Sequence, residues 1–346
     1  RTLTDPNHLS SIQIGHNKYL DLTCASIEIG IADKLMNLKQ IEMKNGDVLD
    51  FDKLVIATGS SYSLPIKESA AKSVFVASRG VHLVAAHQKL RTSQTIIVIG
   101  GGIVGVELAA EIIESFPKKN VKLLHSGQAL CHSSSAVTAK AAAHCLKSLQ
   151  NSGVEVIFET RVINQQGNVY KTEDGRKFVA DMSFICTGIT PNNEILKHST
   201  SIVGQQCLDK RGFVNVDQYL RLKGHKHIYC VGDVAAIREE KLAQNAERQA
   251  DVVVQNLLHC DSNNPIATYE PKPRPIIISL GRYDGVLIYK DWTICGYLPA
   301  IMKEVVENKV MVAYRWRRPV VMKSSPSFAN LTTLEQSPDD NENKRQ

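Results

Sequence analysis

Three glycines at fixed spacing are the residues of this 346-residue chain that most clearly allow a specific chemistry. They form Gly100-x-Gly102-x-x-Gly105, directly after the β-branched run Ile96–Ile99 and before a helical stretch that contains Glu107. A strand, a glycine turn and a helix in this order are the dinucleotide-binding fingerprint. Gly100 would form the tight turn, Gly102 would let a pyrophosphate approach the backbone, and Gly105 would let helix and strand pack closely. Glycine clusters also occur in ordinary loops, but the flanking strand and helix favour a nucleotide site, with phosphate facing the N–H groups at the helix start.

The second strand of this unit, Val121–His125, ends without the expected carboxylate. An acidic residue about 20 positions after the glycines would accept the adenosine ribose 2′-OH of NADH. Here His125 and Ser126 follow the strand, so NADPH would not be repelled, and the sequence does not choose between NADH and NADPH. His125 is either a contact to the cofactor or merely a surface residue at the end of the strand.

Three further short motifs follow apolar strands. Thr58-Gly59 ends the strand that begins near Phe51, and Thr187-Gly188 repeats this pattern after Met182–Cys186. Gly232-Asp233 follows the buried run Ile228–Val231 and precedes a helical stretch. Taken alone, Asp233 is most simply a helix N-cap. Lys241, further along, could tune a cofactor or could be a solvated helix residue.

The composition describes an ordinary globular protein, with 22% charged and 43% hydrophobic residues. The net charge of +6 is mild and scattered, so it does not predict a nucleic-acid partner. The eight cysteines include no CxxC or CxxxxC pair and no histidine at metal-ligand spacing, so we predict buried thiols, a reducing compartment and no metal site. No apolar run reaches the roughly 18 residues of a membrane span. The chain begins at Arg1, so we expect the natural N-terminus, with any targeting signal, to lie upstream.

The elements that must position these residues follow from periodicity and turn residues. Residues 1–20 are predicted to be irregular, residues 60–90 to contain a linker and one helix, and residues 324–346 to be a disordered tail. The other predicted elements are a β-meander over 26–31, 36–43 and 48–51, a helix over 137–149, a strand over 154–158, a hairpin over 170–178, a strand over 212–216, a helix over 241–258, and strands or short helices from 276 to about 322.

Taken together, Thr58-Gly59, the run Gly100–Glu107 and Gly232-Asp233 stand in the order found in flavoproteins with two dinucleotide-binding domains. Further matching segments are Gly105–Ile112, Leu124–Ser126, Cys186–Gly188 and Ser279–Val286. With them, residues 20–315 resemble the apoptosis-inducing-factor-like flavoproteins of the ferroptosis-suppressor type, including their plant relatives. The segment Ser279–Val286, SLGRYDGV, is the most specific local match.

The resemblance implies an α/β fold with two Rossmann-like three-layer domains and a small α+β C-terminal region, the NAD(P)H domain being inserted in an N-terminally incomplete FAD domain. The implied segments are 1–88 (FAD-binding remnant), 89–190 (NAD(P)H-binding), 191–270 (returning FAD segment), 271–322 (C-terminal region) and 323–346 (tail). It also implies FAD and NAD(P)H as cofactors and a hydride passed through the flavin to a quinone. The implied localisation is cytoplasmic, with peripheral contact to a membrane or lipid droplet, and a homodimer is a further implied partner.

Carried across by residue, the resemblance assigns roles to the motifs. Gly100, Gly102 and Gly105 would hold the NAD(P)H pyrophosphate, Glu107 would lie near the nicotinamide and flavin as the catalytic residue, and His125 would contact the cofactor. Thr58, Gly59, Thr187, Gly188 and Gly232 would line the cofactor sites. Asp233 would hydrogen-bond the FAD ribityl chain, which favours ligand contact over capping.

The chain departs from this family in one respect, because it contains no first GxGxxG loop for the FAD pyrophosphate. Two hypotheses follow. The chain is part of a working oxidoreductase, or it is a catalytically inactive nucleotide-binding or interaction protein. A separate hypothesis concerns Tyr314–Arg318 with Lys323, where aromatic and basic residues alternate as in peripheral membrane contacts. The alternative there is a strand end with solvated arginines.

Overall fold

The computed structural model describes residues 3–15, 20, 23, 25–62, 74–76, 80–132, 134, 136–259 and 267–316. The chain divides into two compact units, Arg1–Gln13 with Ile29–Asn308, and Ile14–Glu28 with Lys309–Gln346. The first unit contains every candidate cofactor-binding residue described below. The predicted tail over 324–346 lies outside the described residues.

The strands of the described residues are β1 (Ala32–Asn37), β2 (Gln40–Met43), β3 (Val48–Asp50), β4 (Leu54–Ile56), β5 (Ser60–Tyr62), β6 (Val74–Val76), β7 (Thr95–Ile99), β8 (Asn120–Leu124), β9 (Glu155–Ile157), β10 (Val162–Gln166), β11 (Val169–Thr172), β12 (Lys177–Val179), β13 (Met182–Ile185), β14 (Ile189–Pro191), β15 (Ile228–Cys230), β16 (Ile276–Ser279), β17 (Gly285–Tyr289) and β18 (Trp292–Cys295). The α-helices are α1 (Asn7–Ile12), α2 (Gly80–Thr92), α3 (Ile103–Ser115), α4 (Ala139–Asn151), α5 (Glu194–Lys197), α6 (Thr200–Val203), α7 (Ala243–Leu258) and α8 (Tyr297–Trp316).

The glycine fingerprint belongs to a five-stranded, all-parallel sheet in the order β6-β13-β7-β8-β9. Alternate residues of β7 pack on opposite faces. Ile96 and Val98 join the core cluster with helices α3 and α4, whereas Ile97 and Ile99 pack with residues of β10–β12. Successive side chains of a strand point to opposite faces of the sheet. Since these residues of β7 are apolar on both sides, both faces of this parallel sheet are buried. This helix, sheet and antiparallel-sheet stack confirms the predicted Rossmann-like three-layer domain.

The remaining strands form smaller sheets. β1-β2-β3 is antiparallel and turns at Gly46, which confirms the predicted meander except over residues 26–31, which form no strand. β4 pairs in parallel with β15, and β5 pairs with β14 at the crossing between the two predicted domains. The β11–β12 hairpin, the parallel strand β13 and helices α4 and α7 also agree with the sequence-based predictions.

Three predictions need correction. Residues within 1–20 include helix α1 rather than only irregular chain. Residues 212–216 form no strand. They make only isolated bridges, because Val214 pairs with Leu208 and Ala235, whereas Val216 pairs with Leu222 in another segment. The region after β18 is the single 20-residue helix α8. No helix among the described residues is long and apolar enough to cross a membrane.

The segment Ser279–Gly285 joins the C-terminal sheet β16-β17-β18 to helices α3 and α4 through carboxylates. The Ser279 N–H donates to Glu107 of α3 at 2.8 Å, and the Arg282 N–H donates to Glu114 of the same helix at 2.8–2.9 Å. Asp284 accepts from Ser148 Oγ of α4 at 2.6 Å. The segment therefore connects this sheet to helices α3 and α4, through two backbone N–H groups and the Asp284 carboxylate.

We expect the Asp284→Asn variant to be less stable by about 2 kcal/mol at neutral pH, because Ser148 and His144 both direct hydrogen bonds to this carboxylate. Burial opposes ionisation, but these hydrogen bonds hold the pKa of Asp284 below its usual value. Because its pKa is lower in the folded than in the unfolded protein, the ionised Asp284 stabilises the fold at pH values above the unfolded-state pKa of about 3.9. This stabilisation is lost as the pH falls through the folded-state pKa. Thermal melts from pH 3 to pH 7 should show the difference shrinking below about pH 4. The matched exposed variant Asp291→Asn should melt like wild type throughout.

Candidate functional site

The glycine turn has the geometry of a phosphate-binding loop. Gly100 has φ of +111°, and a Cβ there would lie 2.3 Å from the Cys186 carbonyl oxygen. A Cβ on Gly105 would lie 1.9 Å from the Gly100 carbonyl oxygen. Gly102, in contrast, would meet nothing within 4 Å, and it precedes α3 without a side-chain cap. The fold therefore requires Gly100 and Gly105, while Gly102 leaves open space beside uncapped helix N–H groups, which fits a pyrophosphate.

The Thr187-Gly188 motif lies against this loop. Thr187 N would be 3.1 Å from a Cβ on Gly100, and the preceding Cys186 N–H donates to Ile99 O at 2.7 Å. Gly188 has φ of +105°, and both residues are exposed. The structure thus brings together two motifs that lie more than eighty positions apart in the sequence, because β13 and β7 are neighbours in the sheet.

His125 is not a surface residue. The residue is only 8% exposed, and its ring lies between the glycine loop and the chain that follows β8. The alternative that it is an exposed strand end is therefore wrong. The prediction that it contacts the cofactor stays a prediction.

Glu107, predicted to lie near the nicotinamide, is held by a residue that sequence reasoning missed. Its Oε1 is ion-paired with Lys303 Nζ of α8 and accepts the Ser279 N–H at 2.8 Å. The side chains of Glu107 and Lys303 are 28% and 39% exposed, so the pair is partly open to solvent. The two residues are 196 positions apart, and no local pattern around Lys303 could have indicated the contact.

The Gly232-Asp233 turn carries a second group of polar residues. Asp233 Oδ2 accepts from Ser60 Oγ at 2.8 Å, and its side chain caps no helix, since the N-cap of α7 is Leu242. The N-cap interpretation of Asp233 is therefore wrong. Thr58, beside Gly59, donates from Oγ1 to Asn192 O. The Thr-Gly turn therefore lies next to the antiparallel pair β5–β14.

Lys241 is half-buried and precedes α7, so it is not a solvated helix residue. Its ammonium donates to Ala235 O at 2.6 Å and lies over the Phe213 ring. Burial lowers the pKa of Lys241, although the nearby Asp233 opposes this change. The Lys241 amine therefore lies within electrostatic range of Asp233.

Gln249 is the second residue that the sequence did not indicate. It is 2% exposed, and its Oε1 accepts the Gly232 N–H at 2.6 Å while its Nε2 donates to Glu239. Asn245, one turn earlier on α7, has a buried Oδ1 without a hydrogen-bond partner among the described residues. Both residues border a small pocket with Gly232, Asp233 and Lys241.

These groups suit the ribityl and flavin portion of FAD, because an acid, a cation and an unpartnered amide oxygen converge there. For the FAD pyrophosphate the sequence offers no second glycine loop. Among the described strands, β4 has β15 as its one partner, and Val55 at its centre is 40% exposed. The described residues therefore fit a dinucleotide pyrophosphate at the loop Gly100–Gly105 and FAD at its flavin end.

The six cysteines in the described residues are free thiols, of which Cys131, Cys145, Cys186, Cys207 and Cys230 are buried. Burial raises the pKa of the Cys131 and Cys186 thiols to about 12. The prediction of buried thiols is confirmed for these five residues. Protonated thiols of this kind are poor nucleophiles.

Comparison with known proteins gives one matching family and several relatives. A sequence profile of the family described as pyridine nucleotide-disulphide oxidoreductase matches residues 3–250. Ferroptosis suppressor protein 1 of Taeniopygia guttata is 30% identical over 288 residues, covering 81% of this chain and 74% of that protein. The Homo sapiens protein of the same name is 28% identical, covering 87% and 85%.

Two solved structures share the fold. The sulfide:quinone oxidoreductase of Aquifex aeolicus superposes with a TM-score of 0.70 at 17% identity, covering 84% of this chain and 75% of that chain. The NAD-dependent persulfide reductase of A. fulgidus gives a TM-score of 0.63 at 21% identity, covering 75% of this chain and 48% of that chain. The chain thus spans about half the length of the persulfide reductase.

Proposed function

The chain belongs to the pyridine nucleotide-disulphide oxidoreductase family, and from this membership we propose that its electron acceptor is a quinone. The coarser activity is that of the family, an FAD-dependent NAD(P)H oxidoreductase of the apoptosis-inducing-factor-like type. Support for the quinone comes from the motif resemblance to the ferroptosis-suppressor type. The fold neighbour from Aquifex aeolicus also carries a quinone in its name.

The chemistry of the reaction is supplied by FAD, which when bound accepts a hydride from NAD(P)H and returns electrons to the acceptor. The residues of the chain bind and orient the two cofactors. Gly102 and the first N–H groups of α3 would hold the NAD(P)H pyrophosphate, while Asp233 and Lys241 would hold the ribityl and flavin end of FAD. Ser134 Oγ donates to Glu240 at 2.8 Å, so the chain after β8 is tied directly to the segment that carries Lys241. Positioning of this kind needs no nucleophile or paired acid and base.

One observation favours a quinone over a disulfide as acceptor. The described cysteines are unpaired thiols, and the sequence has no closely spaced cysteine pair that could relay electrons from the flavin. A quinone needs no such relay, because a reduced flavin can pass electrons to it directly.

The test is an absorption spectrum of the purified chain, incubated with FAD, desalted, and treated with NADH and then with a soluble quinone. We expect flavin absorbance that NADH bleaches and the quinone restores. Restoration by a persulfide or a disulfide, but not by the quinone, would contradict the proposed acceptor. A colourless protein that still binds NADH would support the alternative of an inactive nucleotide-binding protein.

We expect the Asp233→Ala variant to retain FAD with about tenfold to a hundredfold lower affinity, because a hydrogen bond to a charged group contributes about 1.5–3 kcal/mol. The readout is the dissociation constant of FAD, measured by flavin fluorescence on titration. Asp251→Ala, which removes an exposed carboxylate of α7, is the matched control and should bind FAD like wild type. Equal FAD affinity in the two variants would argue against the role of Asp233.

We also propose peripheral contact with a membrane through the basic and aromatic end of α8. Tyr314, Arg315 and Trp316 belong to this helix, whereas Arg317, Arg318 and Lys323 lie outside the described residues. Replacing the three arginines with serine should weaken sedimentation with vesicles that contain anionic lipid. Unchanged sedimentation would contradict the proposal. A homodimer and a cytoplasmic location remain predictions of the resemblance.

A further inference from the structure

The peptide group of Gly101, the residue between the first two fingerprint glycines, is held on both sides by the chain that follows β8. Its N–H donates to His125 Nδ1 at 3.1 Å, and its carbonyl oxygen accepts the Cys131 N–H at 2.8 Å. Gly101 is buried. Its N–H is therefore not available to phosphate, and the orientation of this peptide depends on His125.

Both ring nitrogens of His125 are used inside the protein. Because Nδ1 accepts a hydrogen bond, the proton of the neutral ring is on Nε2, which lies 3.0 Å from Ala129 O and 3.3 Å from His132 Nδ1. A ring in this position cannot also donate to a ribose hydroxyl without losing one of these bonds.

Two glycines provide the space for the ring. A Cβ on Gly101 would lie 2.8 Å from His125 Cγ, and a Cβ on Gly127 would lie 2.9 Å from His125 Nε2. The glycine at each position thus allows the imidazole to reach the loop. Because both positions lack a side chain, the ring packs directly against the backbone of Gly101 and Gly127, and the His132 and Phe158 rings border it.

From this geometry we propose that His125 is a positioning residue, which holds the Gly101 peptide and through it the NAD(P)H-binding conformation of the loop Gly100–Gly105. The inference rests on NAD(P)H binding at this loop and does not depend on the identity of the electron acceptor. It differs from a direct contact between His125 and the adenosine ribose, because a positioning residue affects NADH and NADPH equally.

Protonation of His125 would place a hydrogen on Nδ1, where it would oppose the Gly101 N–H. Burial lowers the pKa of this histidine and so does the neighbouring His132, while Ala129 O raises it. His132 is the titratable group in hydrogen-bond distance of the ring, and Phe158 packs against it at 6.3 Å between ring centroids. The carboxylate of Glu159, next in the chain, is bound by Gln128. The neutral ring is thus the binding form, and the affinity for NAD(P)H should fall as the pH falls through the lowered pKa.

The experiment measures the dissociation constants of NADH and NADPH for the purified chain by calorimetry from pH 5 to pH 8. Wild type should bind both more weakly toward pH 5. His125→Leu should raise both constants by about tenfold at pH 8 and abolish the pH dependence, since one backbone hydrogen bond loses its acceptor. His125→Asn, whose Oδ1 can replace Nδ1 as acceptor, should bind like wild type at pH 8 and show no acid limb.

His259→Asn, at the end of α7 and far along the chain from the loop, is the matched control and should keep the wild-type pH profile. Thermal melts of each variant separate loss of binding from loss of fold. An acid limb that persists in His125→Asn, or a His125→Leu affinity equal to wild type, would overturn the proposal. A loss confined to NADH or to NADPH would overturn it as well, in favour of direct ribose contact. Wild type that binds NADH without reducing a quinone would instead refute the proposed acceptor and leave the role of His125 intact.

Discussion

Replacement of Gly102 with alanine is expected to weaken NADH binding by about a hundredfold and to leave the melting temperature unchanged. The added Cβ would meet no protein atom within 4 Å, so the fold has no reason to change. It would, however, occupy the open space through which a pyrophosphate reaches the backbone at the start of α3. A hundredfold loss of affinity is about 2.8 kcal/mol, which is about the contribution of one or two hydrogen bonds from backbone N–H groups to a charged phosphate. The measurements are the dissociation constant of NADH and a thermal melt.

Gly105→Ala is the matched comparison for this prediction. Its Cβ would lie 1.9 Å from Gly100 O, so helix α3 and the turn must separate, and the variant should lose stability as well as NADH affinity. The two alanine variants therefore distinguish a glycine required by the ligand from a glycine required by packing. If Gly102→Ala binds NADH like wild type, the phosphate does not lie over this residue.

The second large effect concerns Lys303. We expect Lys303→Met to slow the reduction of bound FAD by NADH by about a hundredfold, because it leaves the Glu107 carboxylate without its cation where the resemblance assigns the nicotinamide and flavin. Loss of one preorganised electrostatic group in an active site commonly has an effect of this order. Stopped-flow absorbance at the flavin band measures the rate.

Three variants control this prediction. Lys303→Arg keeps the charge and should retain most of the rate, whereas Glu107→Gln should lower it as Lys303→Met does. The double variant should be no worse than either single change, since the residues act as a pair. Lys309→Met, an exposed lysine of the same helix, should behave like wild type. A lower melting temperature with an unchanged rate of flavin reduction would mean that the pair only fixes α8 to α3.

The physical origin of each correct prediction was local. Side-chain periodicity and the backbone freedom of glycine are properties of neighbouring residues. They were enough to predict the glycine loop with its flanking strand and helix, the β11–β12 hairpin and the strand that ends at Cys186. The errors also have physical causes. Residues 212–216 have the composition of a strand, but a strand requires a continuous partner, and the fold offers only isolated bridges.

The sequence by itself determined that this chain has a nucleotide-binding α/β domain and that Gly100, Gly102, Gly105 and Asp233 are candidates for ligand contact. Only the tertiary structure decided which groups hold them. Lys303 is ion-paired with Glu107, which lies 196 positions earlier in the chain. Gln249 of α7 accepts the Gly232 N–H, and His125 accepts the Gly101 N–H. These contacts join residues that are 17 to 196 positions apart in the chain. The polar partner of a residue depends on how helices and strands pack, and short-range sequence patterns do not encode that packing.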